Sequence, residues 1–125
     1  MEFETPQFKG RPPIDSYGDG GFTLGGGFRR GSLLLLAERM DAWSPTRLED
    51  ASTETLTAVI DDAAAYDFLL IGTGAQIARP PAALSEALNV AGLPMDFMDT
   101  GAACRTYNVL LAEQRRFAAA LIAVE

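Results

Sequence analysis

The strongest constraint on the fold of this chain is a change of sequence pattern near residue 50. Eight of its twelve glycines lie before that point and separate short apolar stretches, as tight turns separate strands. Beyond it, apolar residues recur at helical spacing, and short apolar runs lie between these segments. Such an order predicts an α/β fold in which an antiparallel β-meander is followed by βαβ units.

The first half of the chain predicts short strands joined by glycine turns. Turns at 18–21 and 25–27 bracket a strand over 22–24, and Phe28 to Leu36 follows as a longer candidate strand. Met40 to Trp43 is a further short strand, because the proline at position 45 keeps the residue before it away from helical angles. Together these segments indicate a meander.

The second half predicts helices alternating with strands. Apolar residues at positions i, i+3, i+4 and i+7 indicate one helix over about 53–65 and another that begins at Pro80-Pro81 and ends at Gly92. The apolar run 68–71 is typical of a strand buried on both faces, and Met95 to Met98 is a shorter strand. These elements predict parallel pairing behind the meander.

The last quarter of the chain contains its most distinctive segment. Thr100 is the expected N-cap of a third helix that runs to about Arg115. Residues Phe117 to Val124 fit both a continuation of this helix and a closing strand, so periodicity leaves their structure open. We expect a single domain over 1–125, with residues 1–12 as a loosely ordered N-terminal arm.

Charge and composition exclude several classes of protein. The chain has 17 acidic and 10 basic residues, and its net charge of −7 disfavours nucleic acid and acidic lipid surfaces as partners. It has no histidine, which excludes His-based triads and most zinc sites. We therefore expect no metal and no cofactor.

The cysteine content, the N-terminus and the apolar runs predict the cellular location of the protein. A single cysteine, Cys104, excludes an internal disulfide and suits a reducing compartment. The acidic N-terminus lacks the basic and apolar regions of a signal peptide, and the longest apolar runs are too short to span a membrane. We expect a cytoplasmic protein without direct membrane insertion.

Two segments suggest chemistry. Gly72-Thr73-Gly74 follows a strand, where backbone N–H groups can bind an anion, but Ile77 stands where the dinucleotide fingerprint has its third glycine. Cys104 lies in the first turns of the third helix beside Arg105, which favours a thiolate. A close backbone turn and a buried packing cysteine are the favoured interpretations of these residues, so neither establishes an enzyme.

The third helix also suggests a recognition surface. A compact cluster on this helix consists of Arg105, Tyr107 and Asn108. Arginine and tyrosine are over-represented in interface hot spots. A solvated, salt-bridged helix face is the alternative interpretation. An exposed edge strand of the meander could in addition pair two copies of the chain.

The chain resembles a known family. Three segments are similar to the family of mitochondrial complex I assembly factor three and its bacterial and archaeal relatives. They are Asp67 to Gly74, Met98-Asp99-Thr100 leading into Ala102 to Glu113, and Arg115-Arg116 before an alanine-rich tail. The resemblance covers nearly the whole chain from about residue 12.

This resemblance implies a single three-layer α/β domain with a central mixed sheet whose last strand, Phe117 to Val124, is antiparallel to its neighbours. It also implies a protein without established catalytic residues, whose mitochondrial relatives help assemble the membrane-bound NADH:ubiquinone oxidoreductase through protein contacts. The expected function is therefore a non-enzymatic interaction protein that binds a partner, such as a respiratory complex subunit, through the face of the third helix. The alternative is a small-molecule or anion binder with a pocket at Gly72-Thr73-Gly74 and Arg105.

Overall fold

Two β-sheets and three α-helices make up the fold over residues 10–125, which a computed structural model describes. The strands are β1 (Ile14–Gly18), β2 (Gly21–Leu24), β3 (Gly27–Arg30), β4 (Ser32–Leu35), β5 (Met40–Trp43), β6 (Phe68–Gly72), β7 (Met95–Met98) and β8 (Phe117–Leu121). The α-helices are α1 (Thr57–Ile60), α2 (Ala82–Val90) and α3 (Thr100–Ala112).

The meander predicted from the glycine turns is confirmed as a three-stranded antiparallel sheet in the order β1-β2-β3. Its two hairpins use two-residue turns in which both residues have positive φ, Asp19 and Gly20 in the first and Gly25 and Gly26 in the second. The single strand predicted over Phe28 to Leu36 is wrong. Gly31, at φ 93°, separates β3 from β4 and directs them into different sheets.

The second sheet is mixed and has the order β5-β4-β8-β6-β7. The chain from Phe117 onward forms a strand, as the family resemblance implies. The resemblance implies that this strand is antiparallel to both neighbours, and this holds for one of them. Strand β8 is antiparallel to β4 and parallel to β6. The parallel pairing follows from the connections, because α2 returns the chain to lay β7 parallel to β6, and α3 returns it again to lay β8 on the other side of β6.

Both faces of the mixed sheet are covered, which confirms the three-layer architecture. Leu69 and Ile71 point to the face that packs against α1 and α2, whereas Leu70 points to the face that packs against α3 and the meander. All five residues of β8 are fully buried at the centre. This two-sided burial explains the uninterrupted apolar run of β6.

The helices follow the sequence pattern unequally. Helix α2 begins after Pro81 as predicted, but the helix expected over about 53–65 is reduced to α1 and short 3₁₀ turns. Ser52 and Thr55 cap the start of this segment reciprocally: the Ser52 N–H donates to the Thr55 hydroxyl at 2.9 Å, and the Thr55 N–H donates to the Ser52 hydroxyl at 3.4 Å. The apolar spacing predicted the buried face of the segment, but it did not predict the hydrogen-bond pattern, which is partly 3₁₀. Asp99, not Thr100, caps α3, and its carboxylate accepts the Ala102 N–H at 2.9 Å.

Replacing Gly72 tests the contact between β6 and α3. A Cβ there would lie 3.0 Å from the Thr100 hydroxyl oxygen, 3.0 Å from Leu121 Cδ2 and 3.2 Å from Ala103 Cβ. We expect Gly72→Ala to lower the free energy of unfolding by about 1–3 kcal/mol, measured by urea denaturation, because overpacking a core costs this much. Gly27→Ala is the control, since a Cβ there meets nothing within 4 Å. Equal stability of the two variants would contradict the tight packing.

Candidate functional site

A cleft lies between strand β1 and helix α3. Its volume is about 350 Å³. The residues that line it are Ile14, Asp15, Ser16, Tyr17, Cys104, Arg105 and Asn108. The cleft thus brings together three of the residues that the sequence singles out on the third helix, and adds strand β1, which the sequence does not place beside them.

Asn108 attaches β1 to α3. Its side-chain oxygen accepts the Ile14 N–H at 2.8 Å, and its side-chain nitrogen donates to the Ile14 carbonyl at 2.9 Å. The amide therefore bonds to the outer edge of β1 as a neighbouring strand would. Asn108 builds one wall of the cleft, and its polar atoms are already engaged.

Tyr107, next to Asn108 on α3, does not line the cleft and is fully buried. Its hydroxyl donates to the Pro12 carbonyl at 2.9 Å and lies 3.2 Å from the Arg11 carbonyl oxygen. Burial raises the pKa of this hydroxyl far above its usual value, although the Arg11 charge opposes the shift. Tyr107 therefore offers no surface to a partner and holds the chain in front of β1 instead.

The segment in front of β1 is bound at both sides. The Arg11 guanidinium is buried, donates to the Phe117 carbonyl and lies 4.5 Å from the centre of the Phe117 ring. Residues 1–9 of the arm expected over residues 1–12 lie outside the described residues. In the remainder, Arg11 is hydrogen-bonded to β8 and Pro12 to α3.

Arg105 is the exposed member of the predicted cluster. It forms no salt bridge with any of residues 10–125. Val109, one helical turn further along, is 57% exposed. Tyr17 is 44% exposed, and its hydroxyl lies where a side chain on Gly101, one turn before Arg105, would begin. We name Tyr17, Arg105 and Val109 the α3 outer surface.

Sequence reasoning missed two of these three residues for different reasons. Val109 is an apolar residue four positions from Arg105 on the polar side of the helix, so its exposure could have been inferred from the helical spacing. Tyr17 reaches α3 only because β1 packs along that helix, which no local pattern of the sequence reveals.

Cys104 faces the cleft but is only 4% exposed. Desolvation by burial raises the pKa of its thiol to about 12; the nearby Arg105 charge lowers it less than burial raises it. The thiol is therefore protonated at neutral pH, as suits a packing residue and not a nucleophile.

The Gly72-Thr73-Gly74 turn uses its backbone groups inside the fold. The Thr73 N–H donates to the Met98 carbonyl at 2.8 Å, and the Gly74 N–H donates to the Thr100 hydroxyl at 2.9 Å. The Thr73 hydroxyl donates in turn to the Gln76 carbonyl at 2.7 Å. The turn does not line the cleft with Arg105, and these two amides are engaged with protein oxygens.

Comparison with known proteins identifies the family. The family model described as a protein of unknown function (DUF498/DUF598) matches residues 14–122, which include every element of both sheets. The chain belongs to the DUF498 family. Among the residues that the structure of this DUF498 chain describes, no helix has the length and apolar character needed to cross a bilayer.

Relatives of the DUF498 chain include bacterial and mitochondrial proteins. An uncharacterized protein of Rhodobacter capsulatus is 43% identical over 117 residues, which are 94% of this chain and 89% of the relative. NADH dehydrogenase (ubiquinone) 1 alpha subcomplex assembly factor 3 of Danio rerio is 34% identical over 109 residues, or 87% of this chain. The chain spans only 63% of that assembly factor's length.

The fold matches solved structures. A crystal structure described as an outer membrane protein from Bartonella henselae superposes with a TM-score of 0.88 at 40% identity and covers 95% of this chain and 100% of that one. The family resemblance inferred from the segments around 67–74 and 98–116 is thereby confirmed.

Replacing Asn108 tests the attachment of β1. Asn108→Asp keeps the acceptor for the Ile14 N–H but loses the donor to the Ile14 carbonyl. We expect the free energy of unfolding at pH 7 to fall by about 1–3 kcal/mol, and the loss to shrink below about pH 4, where the carboxyl regains a proton to donate. Asn89→Asp, on the exposed side of α2, is the control. A loss that does not change between pH 7 and pH 3 would contradict this role of the amide.

Cys104 provides a second test, through pH. The unfolded thiol titrates near its ordinary value of 9.0, whereas the folded one titrates near 12, so at pH 8 the folded chain has about a thousandfold less thiolate for iodoacetamide to alkylate. Between pH 9 and 12 the unfolded chain has lost this proton and the folded chain keeps it, so stability falls as pH rises. In the Cys104→Ala variant, the free energy of unfolding, measured by denaturation curves, should fall less steeply with pH over this range. Alkylation at the same rate with and without urea would overturn the burial argument.

Proposed function

We propose that this chain is a non-enzymatic interaction protein of the cytoplasm that binds a protein component of a respiratory NADH dehydrogenase. The proposal draws on the assembly factors among its relatives, whose names refer to that complex. It also draws on a family model that matches most of the chain. The binding surface that we propose is the α3 outer surface together with the cleft beside it.

The observation that carries this proposal is the exposed combination of Tyr17, Arg105 and Val109. Tyrosine and arginine are enriched among residues that contribute most to protein binding, and apolar neighbours exclude water from their contacts. The guanidinium of Arg105 has no carboxylate partner among residues 10–125, so a partner's carboxylate or carbonyl oxygens could bind it. A cavity of about 350 Å³ next to it could accommodate one or two side chains of the partner.

A non-catalytic role is supported by how polar groups are used. Cys104 and Tyr107 are buried, and burial raises the pKa of both, so neither supplies a nucleophile or a base near neutral pH. Over residues 10–125, every buried side-chain nitrogen and oxygen has a hydrogen-bond partner. Enzyme active sites often leave such groups unpaired for a substrate.

A capture experiment tests the proposal. We expect the tagged chain, at native expression level in its own host, to retain NADH dehydrogenase subunits, identified by mass spectrometry. Arg105→Ala combined with Val109→Ser should reduce their recovery about tenfold or more, because hot-spot residues contribute on the order of 1–2 kcal/mol each.

The matched control is Arg47→Ala combined with Val90→Ser, which makes the same exchanges at exposed positions on the opposite layer. Both double variants should unfold at the same urea concentration. If both retain the subunits equally, the α3 outer surface is not the binding site. If the parent chain retains no such subunits, the respiratory partner is wrong.

A small anionic ligand in the cleft is the second candidate function. Arg105 and Ser16 both line the cavity, and a guanidinium beside a hydroxyl suits a carboxylate or a phosphate. Because the Thr73 and Gly74 amides are bonded within the fold, this candidate favours the cleft over the Gly72-Thr73-Gly74 turn. Thermal denaturation with phosphates and carboxylates tests it: a rise in the melting temperature that Arg105→Ala abolishes would support it.

A further inference from the structure

The strand at one end of the meander differs from the other end strands. Over residues 10–125, the two sheets end in β1, β3, β5 and β7. The outer edge of β1 is bonded by the Asn108 amide, and β5 and β7 carry the acidic residues Asp41 and Asp96. Strand β3 carries two arginines instead, and all four of its residues are exposed.

The backbone of β3 has an open edge. Strands β2 and β3 are joined by the two-residue turn Gly25-Gly26, so Gly27 and Leu24 form a hydrogen-bonded pair. In an antiparallel ladder, hydrogen-bonded pairs alternate with pairs that are not hydrogen-bonded. The N–H and C=O groups of Phe28 and Arg30 therefore point away from β2. The described residues include no strand on that side. Two donors and two acceptors therefore point outward from an exposed strand.

Positive charge flanks this edge on both faces. Successive residues of a strand point to opposite faces, so Arg29 lies on one face and Arg30 on the other. Neither forms a salt bridge with any of residues 10–125, whereas the whole chain has a net charge of −7. The two arginines are a basic site in an acidic protein.

Apolar contacts are available beside the charges. The Phe28 side chain is 48% exposed, and the Arg30 guanidinium lies 5.7 Å from the centre of its ring. Near the start of β3, a cavity of about 370 Å³ is bordered by the glycine turn, Phe28, Arg29 and Met40. An added strand could place an apolar side chain in this cavity and another against Phe28.

We propose that the open edge of β3 binds an extended, acidic segment of a partner protein as a fourth strand of the meander. The outward N–H and C=O groups of Phe28 and Arg30 supply the backbone hydrogen bonds. Arg29 and Arg30 select carboxylates on the two faces of that segment and disfavour basic segments. This surface is separate from the α3 outer surface and does not depend on the function proposed for it.

The test uses the full chain labelled with ¹⁵N and a synthetic peptide, acetyl-Glu-Glu-Val-Val-Glu-Glu-amide, which carries carboxylates and an apolar side chain on each face of an extended strand. We expect the peptide to slow hydrogen exchange at the Phe28 and Arg30 amides and to shift their resonances. A peptide with lysine in place of glutamate should bind about tenfold more weakly or worse. A peptide N-methylated at every residue should lose the protection, because neither of its edges can donate to the strand.

Matched variants test the charges. Arg29→Glu and Arg30→Glu should each weaken binding of the acidic peptide about tenfold, whereas Arg47→Glu, an equal change of charge at an exposed site on the opposite layer, should leave it unchanged. The ¹⁵N spectrum of each variant shows directly whether the hairpin is still folded.

Three results would overturn the proposal. The first is that both peptides bind equally or that neither binds at about 1 mM. The second is that the protected amides lie outside β3. The third is that the free chain sediments as a dimer that Arg29→Glu dissociates, since a second copy would then occupy the edge.

Discussion

The hydroxyl of Thr100 makes the connection on which the rest of the structure depends. It is fully buried, accepts the Gly74 N–H at 2.9 Å and donates to the Ile122 carbonyl at 2.7 Å. One side chain at the start of α3 thus joins the ends of β6 and β8. The Thr100 N–H also donates to the Gly74 carbonyl, so the helix begins at a set position over the sheet. The direction of α3, and with it the cleft beside β1, follows from this junction.

Close packing reinforces this junction. Gly72 has no side chain, and Ala103 is small, so the first turns of α3 approach β6 closely. Further along the helix, Tyr107 and Asn108 hold the segment from Arg11 to Ile14 by hydrogen bonds. The same helix therefore packs on the sheet with one side, binds the meander with a second, and leaves Arg105 and Val109 to the solvent. By this division, one helix both supports the fold and presents a defined surface.

Sequence reasoning succeeded where local pattern and burial agree. Helix α2 between Pro81 and Gly92, the buried strand β6 and the glycine turns of the meander were all predicted, because their signals come from backbone preferences within a few residues. It was wrong over 53–65, where the apolar spacing identified the buried face but not the hydrogen-bond pattern, which includes short 3₁₀ turns on both sides of α1. The cluster of Arg105, Tyr107 and Asn108 was adjacent in sequence, but only its first member is exposed.

The sequence by itself determined the class of the fold, the turn positions and the absence of histidine chemistry, since glycine conformations, apolar periodicity and composition are local properties. Only the tertiary structure decided that β8 is parallel to β6 and antiparallel to β4, that Cys104 is buried, and that Tyr17 lies beside Arg105. These features depend on contacts between residues far apart in the chain. Their energy comes from packing and desolvation, which no short stretch of sequence contains.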